Sequence, residues 1–234
     1  MCGRFTLIQV ADSAQNMFGL DFGAIEPRYN IAPKQRTVAI LYDAKSRGIT
    51  SRQLWWGLVP SWGEDKSMAA RCINARMETI ESKPSFRSSF RNRRCLIPAS
   101  GFYEWKRGAG GKKPYYFFPS ALDEGLMFAG IWDEWKGHDE IYHSFAIITI
   151  PADSMMRPIH DRMPALLPPE AWEQWLTPTF CSQDARAIIL SAKSYPKMHR
   201  HKVGARVNKV GNEGAECIVP VTETGRLFSE RKHI

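Results

Sequence analysis

The apolar residues of this chain fall in short, aromatic-rich runs, and that limits what it can fold into. Segments 36–42, 52–58, 94–98, 102–106, 115–118, 126–132 and 143–150 are each rich in aromatic or β-branched residues and bounded by Gly, Pro or polar clusters. That is the signature of strands. Helices are expected between them, over 11–18, 84–90, 153–159, 169–176 and 183–190, with Asp153 and Pro169 at positions where helices start. Segment 107–113 (Arg-Gly-Ala-Gly-Gly-Lys-Lys) reads as a flexible hairpin loop between two strands and is too short to link domains. No internal repeat or low-complexity stretch interrupts the pattern. The expected fold is α+β: a β-rich single domain with a curved, largely antiparallel sheet and peripheral helices. The polar, basic stretch 222–234 is expected to form a separate tail.

Composition excludes several alternatives. At 234 residues, 44% hydrophobic and 24% charged, the chain has the makings of a full core. Apolar runs such as 145–150 fall far short of the ~20 residues a bilayer requires. The N-terminal segment lacks the apolar stretch of a secretion signal, so an intracellular, cytoplasmic protein is expected. The five cysteines, at 2, 72, 95, 181 and 217, are odd in number and widely spaced, which points to thiols rather than disulfides. His199 and His201 lack further ligands at zinc spacing, and no metal or cofactor is expected. The net charge of +8 suits a polyanionic partner without proving one.

The chemistry-bearing residues each have an ordinary reading and a sharper one. Cys2 is either a residue at a loose terminus or, once Met1 is removed, a 1,2-aminothiol. An α-amine has a pKa of ~7.7–8.0, so roughly a tenth of it is neutral at pH 7. It condenses with an aldehyde to an imine, and the adjacent thiol closes a thiazolidine ring. No internal cysteine can do this, because its nitrogen is an amide. The ring-opened sugar of an abasic site supplies a matching aldehyde. Glu104, within Phe102-Tyr103-Glu104-Trp105-Lys106, is either a surface residue or, in an apolar pocket, a general acid for opening a furanose ring. His160 is structural or a proton-transfer group; Arg162 is an ion-pair partner or a phosphate ligand. Asn74 is a turn residue or a hydrogen-bonding partner of the substrate or terminus, with Arg76 beside it for a phosphate. In the tryptophan-rich segment 55–62, some rings belong to the core and one on a loop is suited to stack on a base.

Taken together, the motifs resemble the SRAP family, the SOS-response-associated peptidase or abasic-site processing proteins. The matching segments are Met1-Cys2-Gly3-Arg4-Phe5, Arg28-Tyr29-Asn30-Ile31-Ala32-Pro33, Trp56-Gly57-Leu58-Val59-Pro60-Ser61-Trp62 and Ile73-Asn74-Ala75-Arg76-Met77-Glu78-Thr79. They continue through Ile97-Pro98-Ala99-Ser100-Gly101-Phe102-Tyr103-Glu104-Trp105-Lys106, Ile159-His160-Asp161-Arg162-Met163-Pro164 and Gly211-Asn212-Glu213-Gly214-Ala215-Glu216, in the family's order. The resemblance implies one family domain over 1–221, with a β-rich α+β fold whose sheet is barrel-like. It implies Cys2 as nucleophile, Asn74 orienting the α-amine, Glu104 assisting ring opening and imine formation, and His160 stabilising the open sugar and assisting reversal. It implies phosphate contacts from Arg4, Arg76 and Arg162, a polar DNA contact from Thr149, and wedging or stacking near the lesion by Pro33 and Trp62. The implied partner of an expected monomer is single-stranded DNA containing abasic sites, with no membrane involved. Two other readings stand beside it: a cysteine peptidase that removes its own first residue, and a noncatalytic single-strand-binding module.

Overall fold

In the computed structural model, described over residues 2–10, 12–23, 25–120, 125–178, 181–191 and 197–221, two sheets pack face to face. The strands are β1 (Phe5–Leu7), β2 (Arg28–Ile31), β3 (Arg36–Asp43), β4 (Gly48–Trp56), β5 (Asn74–Arg76) and β6 (Arg94–Ala99). They continue with β7 (Gly101–Gly108), β8 (Gly111–Pro119), β9 (Leu126–Lys136), β10 (Ile141–Pro151), β11 (Arg162–Pro164) and β12 (Met198–Lys202). One sheet runs β12-β8-β7-β1-β2. The other runs β10-β4-β3-β6-β9 and closes on itself, because β9 also pairs with β10. The result is a five-stranded barrel, as the family resemblance implied, antiparallel except where β10 runs parallel to β4 and to β5. Aromatic edges lock the sheets together: Phe5 meets Trp56 at 5.1 Å and Phe128 at 5.7 Å, and Phe102 meets Phe128 at 6.0 Å. Fully burying one such ring contributes roughly 1.5–3 kcal/mol.

Helices α1 (Asp12–Phe18), α2 (Pro84–Asn92), α3 (Pro169–Leu176) and α4 (Ser182–Ser191) lie around the barrel. Helices α2 and α3 open on prolines, where the missing N–H costs nothing. Phe86 and Phe90 of α2, one turn apart, and Trp172 and Trp175 of α3 face the core. The buried Arg94 at the start of β6 ties both helix ends down: its guanidinium donates to Phe90 O, Arg91 O, Trp175 O and Thr177 O at 2.7–3.1 Å.

The structure corrects several expectations. Segment 153–159 is a series of turns, not a helix. Pro158 has no N–H to continue a helical ladder, and the Ile159 and His160 N–H groups both close on Met156 O, at 2.9 and 3.1 Å. The strand expected over 52–58 starts earlier, at Gly48, and ends at Trp56, because Gly57 takes φ 127° and donates instead to Phe145 O. A side chain at Gly57 would meet the Ala69 carbonyl oxygen at 2.6 Å. Segment 107–113 is mostly strand: β7 and β8 run to Gly108 and from Gly111, leaving only Ala109 and Gly110 as the turn. Strands β1, β2, β11 and β12 went unanticipated. Ala11, expected in the first helix, and the tail 222–234 lie outside the described residues.

Candidate active site

The N-terminal residues enter the structure as an extension of β1. Phe5 pairs with Phe102, and the Tyr103 N–H donates to Arg4 O at 2.9 Å. Continuing that antiparallel ladder brings Glu104 beside residues 2 and 3. Phe102 and Glu104 share one face of β7, so Glu104 sits where the apolar interface between the sheets gives out, and only 3% of it is exposed. Cys2 is wholly buried. Burial pushes its thiol far above the usual thiol range, and the charge of Glu104 pushes the same way.

A second group of residues is organised by β10. Along its C-terminal half β5 pairs on one edge (Ile147 with Asn74, Thr149 with Arg76) and β11 on the other (Thr149 with Pro164, Pro151 with Arg162). Buried Asn74 donates from Nδ2 to Cys2 O at 2.7 Å. Its Oδ1 is buried with no hydrogen-bond partner among the described residues, an acceptor left open beside the N-terminal residues. Arg162 makes a two-point contact with Glu78, at 2.5 and 2.9 Å, and donates to Thr149 O at 2.5 Å. That contact lowers the Glu78 carboxyl below the usual carboxylate range. The Arg162 backbone N–H and the Asp161 carboxylate oxygen Oδ1 each lie 2.9 Å from His160 Nδ1, so the ring is held along that edge by its own loop.

A cleft of about 460 Å³ opens here, lined by Gly3, Arg4, Glu104, Trp105, Arg107, Lys112, His160 and Asn208. Arg4 is both wall and brace. Its Nη1 donates to Asn30 Oδ1 at 2.7 Å and Val207 O at 2.9 Å, and its guanidinium lies 5.8 Å from the Trp105 ring centre. Asn30 in turn donates to Lys209 O and Asn212 O, and Glu213 accepts from the Tyr29 N–H at 2.8 Å. The late Gly-Asn-Glu-Gly segment is thereby laid against β2, and with it Asn208, whose Oδ1 accepts from Trp105 Nε1 at 2.7 Å.

Cys2, Asn74, Glu104 and Arg4 are therefore gathered, and His160 lines the same cleft. Arg76 is exposed at the cleft-side end of β10 pairing, whereas Arg4 and Arg162 are 9% and 8% exposed and Thr149 is wholly buried. Thr149 presents its carbonyl to Arg162 rather than its hydroxyl to solvent. Pro33 is half-buried in the turn after β2, and Trp62 is 57% exposed on the loop after β4. That loop is pinned by Asp133, a buried carboxylate on β9 accepting from Ser61 N (3.1 Å), Ser89 Oγ (3.2 Å), Arg93 Nη1 (2.5 Å) and Glu134 N (2.9 Å). Sequence reasoning missed Asp133, Trp105, Asn208, Arg107 and Lys112. The signal for the last two was present in the basic residues flanking the hairpin turn. Among the described residues no cluster of His, Cys, Asp or Glu suits a metal ion, and no helix is long and apolar enough to cross a membrane.

Comparison with known proteins agrees with this architecture. The family model described as SOS response associated peptidase (SRAP) matches residues 1–210. The abasic site processing protein YoaM of Bacillus subtilis is 35% identical over 223 residues, covering 93% of this chain and 97% of that protein. The abasic site processing protein HMCES of Gallus gallus is 33% identical, covering 85% of this chain and 68% of its own length. A crystal structure of a protein from Bacteroides thetaiotaomicron superposes with a TM-score of 0.81 at 24% identity, over 94% of this chain and all of that one, and supports the fold.

Proposed function

The chain belongs to the SRAP family, and on that premise we propose that it processes abasic sites in single-stranded DNA by bonding covalently to the lesion through Cys2. The observation that carries the reading is convergence. The backbone of Cys2 is held by Asn74, and the Glu104 carboxyl lies beside it at the wall of a cleft that also contains His160 and cationic side chains.

The reaction requires a free α-amine on Cys2, so it proceeds after removal of Met1. Glu104 protonates the sugar ring oxygen as its bond to the anomeric carbon breaks, and the anomeric hydroxyl gives its proton to water, so that the furanose opens to the aldehyde. The amine adds to the aldehyde carbon, and loss of water gives the imine. The thiol sulfur then bonds to the imine carbon and its proton passes to the nitrogen, closing the thiazolidine; one water leaves overall. The high proton affinity of the buried thiol fits this order, because the amine rather than a thiolate makes the first bond. Asn74 Oδ1 is suited to accept from the amine, and His160, lining the cleft, to exchange a proton with the opened sugar oxygen. Arg4, Arg76 and Arg162 serve the flanking phosphates. Arg162 does so from a recessed position that Thr149 braces, and Pro33 and Trp62 border the bases. The protein acts as a monomer inside the cell.

The test is incubation of the mature protein with a single-stranded oligonucleotide carrying one abasic site, followed by a denaturing gel and intact mass. A covalent adduct is expected, equal in mass to protein lacking Met1 plus oligonucleotide minus one water. Binding without an adduct would leave a noncatalytic module, and removal of Met1 by the purified protein alone, without an adduct, would favour the peptidase reading. Full adduct formation by protein that still carries Met1 would exclude the 1,2-aminothiol mechanism.

A further inference from the structure

The tip of the β7–β8 hairpin is built against its own electrostatics. Its register sets Lys106 directly opposite Lys113 and Arg107 directly opposite Lys112. Two successive like-charge pairs face each other across strands, where opposite charges stabilise and like charges destabilise. All four side chains are exposed. Among the described residues none of them lies within 4.0 Å of a carboxylate. The hairpin is otherwise well made. Its turn needs only Ala109 and Gly110, and Gly111 supplies a φ of 88° that other residues rarely adopt.

The two pairs are not equivalent. Arg107 and Lys112 share the face of Trp105, and all three line the cleft with Glu104 and His160; Lys106 and Lys113 are on the other face of the hairpin, the one Glu104 shares, and lie outside the cleft lining. Along the Trp105 side run, in order, the Arg4 guanidinium over the indole, the indole itself and the two hairpin cations. Cations in a groove beside an aromatic ring suit a single nucleic-acid strand.

We infer that Arg107 and Lys112 form a phosphate clamp for the DNA strand leaving the cleft, with one backbone phosphate or two adjacent ones as the anion that relieves their repulsion. This rests on the reading of the cleft as a DNA site and adds to it a second contact region, on the hairpin. Repulsion within the free protein is exchanged for attraction in the complex, so the clamp favours the bound state twice over.

The experiment compares Arg107→Gln/Lys112→Gln with Lys106→Gln/Lys113→Gln in the full chain, so that each double variant loses the same charge. Affinity for a fluorescent single-stranded oligonucleotide without a lesion is measured against salt concentration. The cleft-facing double variant is expected to bind roughly twentyfold more weakly at 0.1 M salt and to flatten the slope of log affinity against log salt by about 1.4, at about 0.7 per phosphate. The opposite-face variant should keep the parent slope to within about 0.3. Thermal midpoints should rise or hold in both, which separates lost binding from lost folding. Equal losses from the two faces, or none from the cleft face, would overturn the clamp. Absence of a covalent adduct with the abasic oligonucleotide would instead count against the proposed function, while binding to the intact strand still tests the hairpin.

Discussion

At the residue scale the site separates positions legible in the sequence from positions only the fold exposes. Cys2 was legible because a 1,2-aminothiol is chemistry that one position alone can have. Its complete burial was not, since it depends on Asn74, 72 residues away, accepting the terminus into the fold. Cys2→Ala is expected to abolish the stable adduct while leaving DNA binding intact. The alanine amine still forms an imine that borohydride traps, and a denaturant-stable adduct without reductant would sink ring closure. Glu104→Gln keeps the shape of the side chain and removes its proton. Single-turnover adduct formation should slow by about 10²–10⁴, with binding of an intact strand unchanged, and an unchanged rate would remove Glu104 from the mechanism. Glu78 went unassigned, although it lies in the Asn-Ala-Arg-Met-Glu-Thr segment, because nothing local tells that its partner is Arg162. Arg162 lowers the Glu78 carboxyl below its ordinary 4.5. The folded state therefore binds that proton more weakly than the unfolded chain. The stabilisation is fully present above about pH 4.5 and disappears as pH falls through the lower folded value. Denaturant unfolding of the parent and of Glu78→Gln should accordingly differ at pH 7 and converge in acid; a constant difference across that window would refute the linkage.

At the scale of elements, the strands with strong aromatic and β-branched content were all visible, and those without it were not. Strand β12 reads Met-His-Arg-His-Lys and β1 has three residues, so neither carries a periodic signal; each exists because a neighbouring edge needs a partner. The failure over 153–159 is different in kind. Composition there favours a helix, and a single proline together with the closure onto Met156 prevents it. That local stop turns the chain so that His160 precedes β11 by two residues and Arg162 opens it. The loop bearing Trp62 shows the same dependence on distant residues. Its conformation rests on Asp133, which joins Ser61, Ser89, Arg93 and Glu134. Asp133→Ala orphans three buried or half-buried donors and the Arg93 charge, and should cost about 2–4 kcal/mol in chemical denaturation. A loss below about 0.5 kcal/mol would mean water replaces the carboxylate without penalty.

At the scale of the whole molecule, the closed barrel with a second sheet against it explains why the site lies where it does. The apolar interface between the sheets ends at Glu104, and the chain terminus is drawn into that end by β1. Hydrophobic patterning made a curved, largely antiparallel sheet legible and the family resemblance a barrel-like one, but not that β9 would meet β10 to close it, because closure is a register relation between distant strands. The same geometry limits the substrate. Glu104, the group that would open the sugar, is 3% exposed at the wall of the cleft, so a lesion must bring its sugar out of any base stack to reach it. In a duplex that costs a few kcal/mol of unstacking and unpairing, whereas a single strand is spared most of it. Net charge of +8 adds attraction for either form and does not discriminate between them. Binding to a single strand should therefore exceed binding to the same abasic site within a duplex by about tenfold or more, while both weaken steeply with salt. Arg76, exposed and on the β5 edge beside the site, should carry one phosphate of that dependence. Arg76→Ala is then expected to flatten the single-strand salt slope by about 0.7. Titrations of both DNA forms across a salt series measure the two effects together. Equal affinity for duplex and single strand at every salt concentration would show that the lesion does not have to leave the stack, and would remove the recessed position of Glu104 as the source of substrate preference.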